Sequence, residues 1–161
     1  MRSFVTGGTV LDVMQEYHAQ SRRLPEKLIW HYFRQACYAV HELHHLDPPV
    51  AHRDIKVENL LLQEDRRSAV LCDFGSCTTR AQAYTRPQDI ASETERIEKY
   101  TTPHYRAPEM VDLHSRVVVD HRVDVWALGC LLYKLCFFRT PFEDSSGECA
   151  PFCAPSMCCV V

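Results

Sequence analysis

The sequence has no uninterrupted apolar run of about 18 residues and no signal-peptide pattern at its amino terminus. We therefore expect no transmembrane segment and no export. It also has no basic surplus, because 18 lysines and arginines stand against 21 aspartates and glutamates, for a net charge of -3. Nucleic-acid-binding proteins normally carry a basic excess on one face. These absences predict a cytoplasmic, soluble protein that does not bind nucleic acid.

The nine cysteines are an odd number in a chain without an export signal, which argues against a disulfide framework. Five are scattered among apolar neighbours, and four lie in the last thirteen residues. That tail has no C-x-x-C pair and no histidine, so a zinc site is a weak alternative. Its final "CCVV" matches a prenylation box only loosely. An irregular tail is the favoured interpretation.

Patterning along the chain predicts a mainly helical fold with small β hairpins. The four apolar patterns of the first half are a helix from Val10, capped by Thr9, to about His18, a helix from Pro25 to about Leu46, and strands at "NLLL" and "AVLCDF".

The second half of the chain is predicted to begin with a long polar surface loop over residues 76–102, with about one helical turn near 92–99. A short helix is expected at "APEMVDL", followed by a longer one over residues 120–136. That last helix carries apolar residues on nearly every side, which predicts a helix buried at the centre of the domain.

The stretch "HRDIKVEN" has the groups that phosphoryl transfer needs, namely a group that orients the hydroxyl nucleophile, a cation and metal ligands. Asp54 can accept or orient a hydroxyl proton, and Lys56 can reach the same phosphate. Asn59 can bind a metal ion, and Asp73, after the second predicted strand, is a second candidate metal ligand.

Three motifs in order, "HRDIKVEN", "DFG" and "APE", resemble the signature of the carboxy-terminal lobe of protein kinases. One such motif alone would mean little, but three with strand and helix between them are specific. The resemblance implies ATP and Mg²⁺ as cofactors. Lys56, together with Thr102 in "TPHYRAPE", resembles the serine/threonine branch and makes both residues candidates for the catalytic site.

Longer stretches, including "GGTVLDVM", "LCDFGSCTT" and "DVWALGCLLYKLC", resemble the Numb-associated kinases over residues 4–144. That family implies serine and threonine in clathrin-adaptor or other endocytic proteins as substrates, and a peripheral location at endocytic membranes. It leaves the oligomeric state open.

The same resemblance implies roles for several buried residues. Leu61 would lie beneath the adenine, with Leu131 and Leu135 supporting it. Asp124 would tie the last helix to the catalytic-loop backbone. His52 and Phe74 would stack in one spine.

The sequence departs from the family at both ends. It has no glycine-rich loop, no V-A-I-K lysine and no helix glutamate to pair with that lysine. We therefore expect a kinase-like carboxy-terminal lobe truncated at both ends, without an amino-terminal lobe or the helices that follow the central one. The predicted parts are a hinge remnant at 1–8, in which Val5 could meet adenine, a partial kinase domain at 9–144 and a cysteine-rich tail at 145–161.

Three readings follow from this organisation. The first is a serine/threonine kinase by family whose truncated form has little or no activity. The second is a non-catalytic kinase-lobe fragment that acts as a binding or decoy module. The third is a chain without a stable fold, because the last helix would expose leucines such as Leu128, Leu131 and Leu135.

Overall fold

The structure, a computed structural model, describes residues 7–143. Val5 and the cysteine-rich tail therefore lie outside the described residues. The predicted fold class is confirmed, since five helices and one two-stranded sheet make up the regular structure of this range. The elements are α1 (Val10–Ala19), α2 (Glu26–His44), β1 (Leu60–Leu62), β2 (Ala69–Leu71), α3 (Pro87–Tyr100), α4 (Pro108–Val111) and α5 (Val123–Phe137).

Helix α1 begins at the predicted cap. The Thr9 hydroxyl accepts a hydrogen bond from the Asp12 amide at 3.1 Å, and the Asp12 carboxylate accepts one from the Thr9 amide at 2.7 Å. Just before it, the Gly7 amide donates to the Leu62 carbonyl at 3.0 Å. A Cβ at Gly7 would lie 2.1 Å from the Gln63 carbonyl oxygen, so only glycine fits beside β1.

The two strands pair antiparallel, with Leu61 opposite Val70. Their period of two turns Leu60 and Leu62 into the core, while Leu61 is half-buried on the other face. The main core lies between α1, α2, β1 and α5 and includes Tyr32, Ala36, Leu60, Leu62, Leu131 and Leu135.

The prediction of a loop over residues 76–102 is wrong in its second half, where α3 runs for 14 residues. Pro87 starts the helix, as proline often does in a first turn. The buried side chains of α3 are Glu93 and Ile97, with Ile90 half-buried beside them. Because a glutamate occupies a core-facing position, the apolar periodicity of a helix was hidden.

The prediction that α5 is buried all round is also wrong. Leu128, Leu131 and Leu135 are buried, so the expected exposure of these leucines does not occur. The opposite face is open instead, with Val125 58% and Phe137 50% exposed. The core reaches α5 from one side only within residues 7–143, so an apolar sequence on every side does not produce burial on every side.

No helix in the described range is both long enough and apolar enough to cross a bilayer.

Candidate active site

The segment 52–59 lies between α2 and β1, and α5 holds its backbone. The Asp124 carboxylate accepts hydrogen bonds from the His52 and Arg53 amides, both at 2.7 Å. His44 of α2 meets the same carboxylate, with 2.9 Å between its Nε2 and Oδ2 of Asp124. The expectation that Asp124 ties the last helix to this loop is confirmed. One buried carboxylate thus connects two helices to the loop.

The side chain of Asp54 is the centre of the site. Its Oδ1 accepts hydrogen bonds from the amide and the hydroxyl of Thr102, at 2.9 and 2.7 Å. Its Oδ2 accepts from Asn59 Nδ2 at 3.0 Å and faces Lys56 Nζ at 2.7 Å. Four donors therefore surround one carboxylate, which has about four acceptor sites.

Lys56 and Thr102 also contact each other, since Lys56 Nζ donates to the Thr102 hydroxyl at 2.8 Å. The three predicted catalytic residues therefore form a closed hydrogen-bonded triangle with Asp54, although Thr102 is 46 residues beyond Lys56. The Lys56 side chain is about one-fifth exposed, so its ammonium group reaches the solvent side of the cluster.

The environment of Asp54 favours its ionised form. Burial alone would raise the pKa of this carboxyl, but the hydrogen bonds from Lys56 and Thr102 outweigh it and hold the pKa below its ordinary value. Asp54 is consequently an anion at neutral pH and a weak base. A weak base in this position orients a hydroxyl group more readily than it removes its proton early.

Asp73 lies in the same cavity of about 270 Å³ as Asp54 and Lys56. Its backbone adopts the left-handed conformation, with φ of 63°, and its carboxylate accepts a hydrogen bond from the Gly75 amide at 3.3 Å. Asn59 uses its side-chain nitrogen for both the backbone and the carboxylate of Asp54, at 2.8 and 3.0 Å. That arrangement leaves the amide oxygen of Asn59 as the atom that can bind a cation.

A carboxylate and an amide oxygen are hard donors that suit Mg²⁺, which usually takes one or two protein carboxylates and completes its shell with water and substrate phosphates. Asp73 and Asn59 therefore fit this ion. Within residues 7–143 there is no cluster of three or more histidine, cysteine, aspartate or glutamate side chains placed for a metal. The residues present are thus suited to a metal that arrives with a phosphorylated substrate.

His52 and Phe74 pack edge to face, with ring centroids 5.2 Å apart, as the resemblance implied. The His52 Nε2 lies 3.0 Å from the Cys72 carbonyl, and its Nδ1 lies 3.3 Å from the Asp54 amide. Burial lowers the pKa of His52, and the nearby Asp124 carboxylate opposes this only in part. A neutral ring that donates from Nε2 and accepts at Nδ1 satisfies both contacts.

The structure corrects one expectation about the adenine side of the site. Leu61 faces away from the core, and its neighbours Leu60 and Leu62 share the cluster with Leu131 and Leu135. The two helix leucines therefore support β1 through its inward residues and not through Leu61 itself. A role of Leu61 beneath adenine stays a prediction.

One contact at this site was not predicted. The guanidinium of Arg53 pairs with the carboxylate of Glu93, with 2.6 Å between Nη2 and Oε1. The signal that could have found Glu93 was the seven-residue spacing of Ile90 and Ile97 after Pro87, which is helical in period. Arg53 lay inside the recognised motif, but its partner did not.

Comparison with known proteins was made over the whole sequence. The family described as "Protein kinase domain" matches residues 2–152. The serine/threonine-protein kinase ppk30 of Schizosaccharomyces pombe (strain 972 / ATCC 24843) is 43% identical over 144 residues, which cover 89% of this chain and 15% of that protein.

Two relatives come from Dictyostelium discoideum, and each is named a probable serine/threonine-protein kinase. One is 39% identical over 145 residues, which cover 90% of this chain and 13% of the relative. The other is 41% identical over 146 residues, which cover 91% and 18%. This chain spans less than a fifth of the length of these three relatives. With the family match extending over almost the whole sequence, the chain belongs to the protein kinase domain family.

Proposed function

We propose that this chain forms the catalytic-loop side of a serine/threonine protein kinase, which transfers the terminal phosphoryl group of ATP to a serine or threonine hydroxyl. One observation carries the proposal. The Asp54 carboxylate lies within hydrogen-bond distance of both the Lys56 ammonium and the Thr102 hydroxyl. Phosphoryl transfer needs a group that orients the nucleophile and a cation that offsets the charge of the transferring group. This cluster has both.

In the proposed reaction Asp54 binds the acceptor hydroxyl through Oδ1. The Thr102 hydroxyl now donates to that oxygen, while the Thr102 amide holds it from another side. A substrate hydroxyl takes the place of the Thr102 hydroxyl, which keeps its contact with Lys56. Because its pKa is lowered, Asp54 orients the nucleophile first and takes the proton late.

Lys56 neutralises charge on the phosphoryl group as it moves. Its ammonium lies 2.7 Å from Asp54 Oδ2 and 2.8 Å from the Thr102 hydroxyl, so it stands beside the path between acceptor and donor. A fixed cation of this kind needs little reorganisation when charge spreads over the transferring group.

ATP and Mg²⁺ belong to the same proposal. Asn59 and Asp73 would hold the metal ion, which neutralises the negative charge of the phosphates when bound. The support is chemical, because both residues offer hard oxygen atoms beside Asp54. Within residues 7–143 the Asp73 carboxylate has no basic partner at ion-pair distance, which leaves it able to bind a cation.

The narrower assignment is to the Numb-associated branch, with clathrin-adaptor or other endocytic proteins as substrates and a cytoplasmic location at endocytic membranes. The support is the set of long sequence stretches that resemble this branch, from "GGTVLDVM" to "DVWALGCLLYKLC". Phosphorylation of a purified adaptor subunit by an active form, compared with a generic threonine peptide, tests this assignment.

The main experiment joins the part of ppk30 that precedes its matching segment to this chain and measures phosphate transfer to serine, threonine and tyrosine peptides. We expect transfer to serine and threonine only, and none above background from the 161-residue chain alone, which contains no glycine-rich loop. Thr102→Val and Lys56→Met should lower the rate by about tenfold or more. Thr94→Val and Lys27→Met, at exposed helix positions, are the matched controls. A preference for tyrosine would contradict the proposal.

A second candidate is a non-catalytic binding module, and the open face of α5 is the observation that favours it. Trp126 stacks on Phe142 with ring centroids 5.4 Å apart, and Phe137 and Val125 are exposed on the same helix. Exposed apolar patches often mark protein–protein contacts. If the fusion protein folds but transfers no phosphate to any peptide, this candidate gains weight.

A further inference from the structure

The ion pair between Arg53 and Glu93 is buried on both sides. Each side chain is 3% exposed, and Nη2 and Oε1 are 2.6 Å apart. Removing one member of such a pair leaves an uncompensated charge away from water, which is strongly unfavourable. Arg53 directly precedes Asp54, whereas Glu93 lies on α3, forty residues later. The pair therefore fastens α3 to the residue beside the proposed catalytic aspartate.

The same stretch of chain has a second attachment to the catalytic loop. Nine residues after Glu93, Thr102 binds Asp54 through both its amide and its hydroxyl. The stretch from Glu93 to Thr102 thus holds two consecutive loop residues, Arg53 and Asp54, at two separate points. A rigid helix joins the two points over most of their separation.

Other contacts enclose this region. Arg96 of α3 donates to the Cys77 carbonyl at 3.2 Å, which holds the helix against the segment that follows Gly75. Tyr84 is buried next to Glu93, and its pKa is raised by burial and then by the charge of that carboxylate. Arg53 itself has φ of 72°, in the left-handed region that is unfavourable for a residue with a side chain. Such a backbone persists only when its surroundings hold it.

We propose that Glu93 is a positioning residue that acts through Arg53 on Asp54, so that the acceptor side of the site is organised without phosphorylation of residues 76–102. Phosphorylation orders a loop when the new phosphate pairs with an arginine. Here the arginine nearest the catalytic aspartate already has a carboxylate partner from the same chain. A phosphate could reach Arg53 only by displacing Glu93 from a buried contact.

This inference rests on the proposed function for its meaning but is tested without catalysis. Amide hydrogen exchange is measured on the full 161-residue chain after mass spectrometry has shown that it carries no phosphate. We expect slow exchange at the amides of His52, Arg53 and Thr102. Fast exchange at these amides in the unmodified chain would overturn the proposal. Failure of phosphate transfer in the fusion protein would leave this result intact, which separates the two claims.

Variants of Glu93 test the mechanism. Glu93→Gln keeps the size of the side chain and removes its charge, and it should speed exchange at the same amides by roughly tenfold or more. Glu95→Gln, an exposed change on the same helix, should leave them unchanged. Exchange in α1 reports global unfolding. If Glu93→Gln exchanges like the unaltered chain, the carboxylate does not position the loop.

Chemical rescue separates charge from packing. Glu93→Ala leaves space beside Arg53, and formate should restore slow exchange whereas neutral formamide should not. Equal rescue by both would overturn the proposal, because packing alone would then explain the effect. If Glu93→Ala unfolds the chain, Glu93→Asp and Glu93→Gln decide the matter. The proposal requires the charged Asp variant to keep the better protected loop, and the reverse order contradicts it.

Discussion

Asp54 is the residue on which the proposed chemistry depends, and its ionisation also affects the stability of the fold. Its pKa in the folded chain lies below the ordinary value of 3.8, so folding favours the charged form. The resulting stability is present above that value and is lost as the pH falls through the folded-state pKa. We expect Asp54→Asn to remove this part of the pH dependence, measured as urea unfolding midpoints between about pH 2 and 6.

The control for this measurement is Asp89→Asn, an exposed change on α3 for which the pH profile should follow that of the unaltered chain. Comparison of variants is needed because Asp65 and Asp120 also have lowered pKa values. Parallel profiles for Asp54→Asn and the unaltered chain would show that the hydrogen bonds to Asp54 do not favour its charged form.

Single residues also show how far sequence reasoning reaches. Asp54, Lys56 and Asn59 could be predicted because they belong to one short motif with fixed spacing. Thr102 could be placed only through a second motif far along the chain. Glu93 could not be predicted, because its role depends on a partner forty residues away and no local pattern marks a glutamate that faces the core.

Helix α1 is the element whose start is most directly specified by local chemistry. Thr9 and Asp12 satisfy each other's backbone amides in a capping box. We expect Thr9→Ala to lower the free energy of unfolding by about 1 kcal/mol, measured by denaturant titration, because one amide of the first turn loses its acceptor. Thr79→Ala, at an exposed position outside the helices, is the control. Equal values for the two variants would contradict this account of the helix start.

Helices α3 and α5 show where element prediction fails. The start of α1 needs only neighbours three residues apart, whereas α3 is held by Glu93 reaching Arg53 and by Ile97 in a second cluster of the core. In α5 the sequence is apolar on every side, yet Trp126 and Phe137 are exposed. Hydrophobic pattern states which faces can be buried. The three-dimensional arrangement decides which of them are.

At the scale of the whole molecule, the described residues leave one face of α5 uncovered. We expect the 161-residue chain to bind a hydrophobic dye and to associate at high concentration, because Val125, Trp126 and Phe137 are exposed together. Val125→Lys should reduce dye fluorescence and association with little change in stability, since surface changes usually stay within about 0.5 kcal/mol. Fluorescence titration and light scattering are the measurements.

Val117→Lys is the matched control, because Val117 is similarly exposed but lies in the loop before α5. The account predicts a smaller effect for this variant. If the two lysine variants reduce dye binding equally, the α5 face is not the dominant apolar surface, and the binding-module candidate loses its main support.

The central claim is that Asp54 orients the acceptor hydroxyl in a serine/threonine kinase. The most direct measurement is the single-turnover rate of phosphate transfer to a threonine peptide by the ppk30 fusion, compared between Asp54→Asn and Asp89→Asn. We predict that Asp54→Asn lowers the rate by about 10²- to 10⁴-fold while ATP binding stays unchanged, and that Asp89→Asn has no effect. A rate for Asp54→Asn within about threefold of the unaltered fusion would contradict the claim.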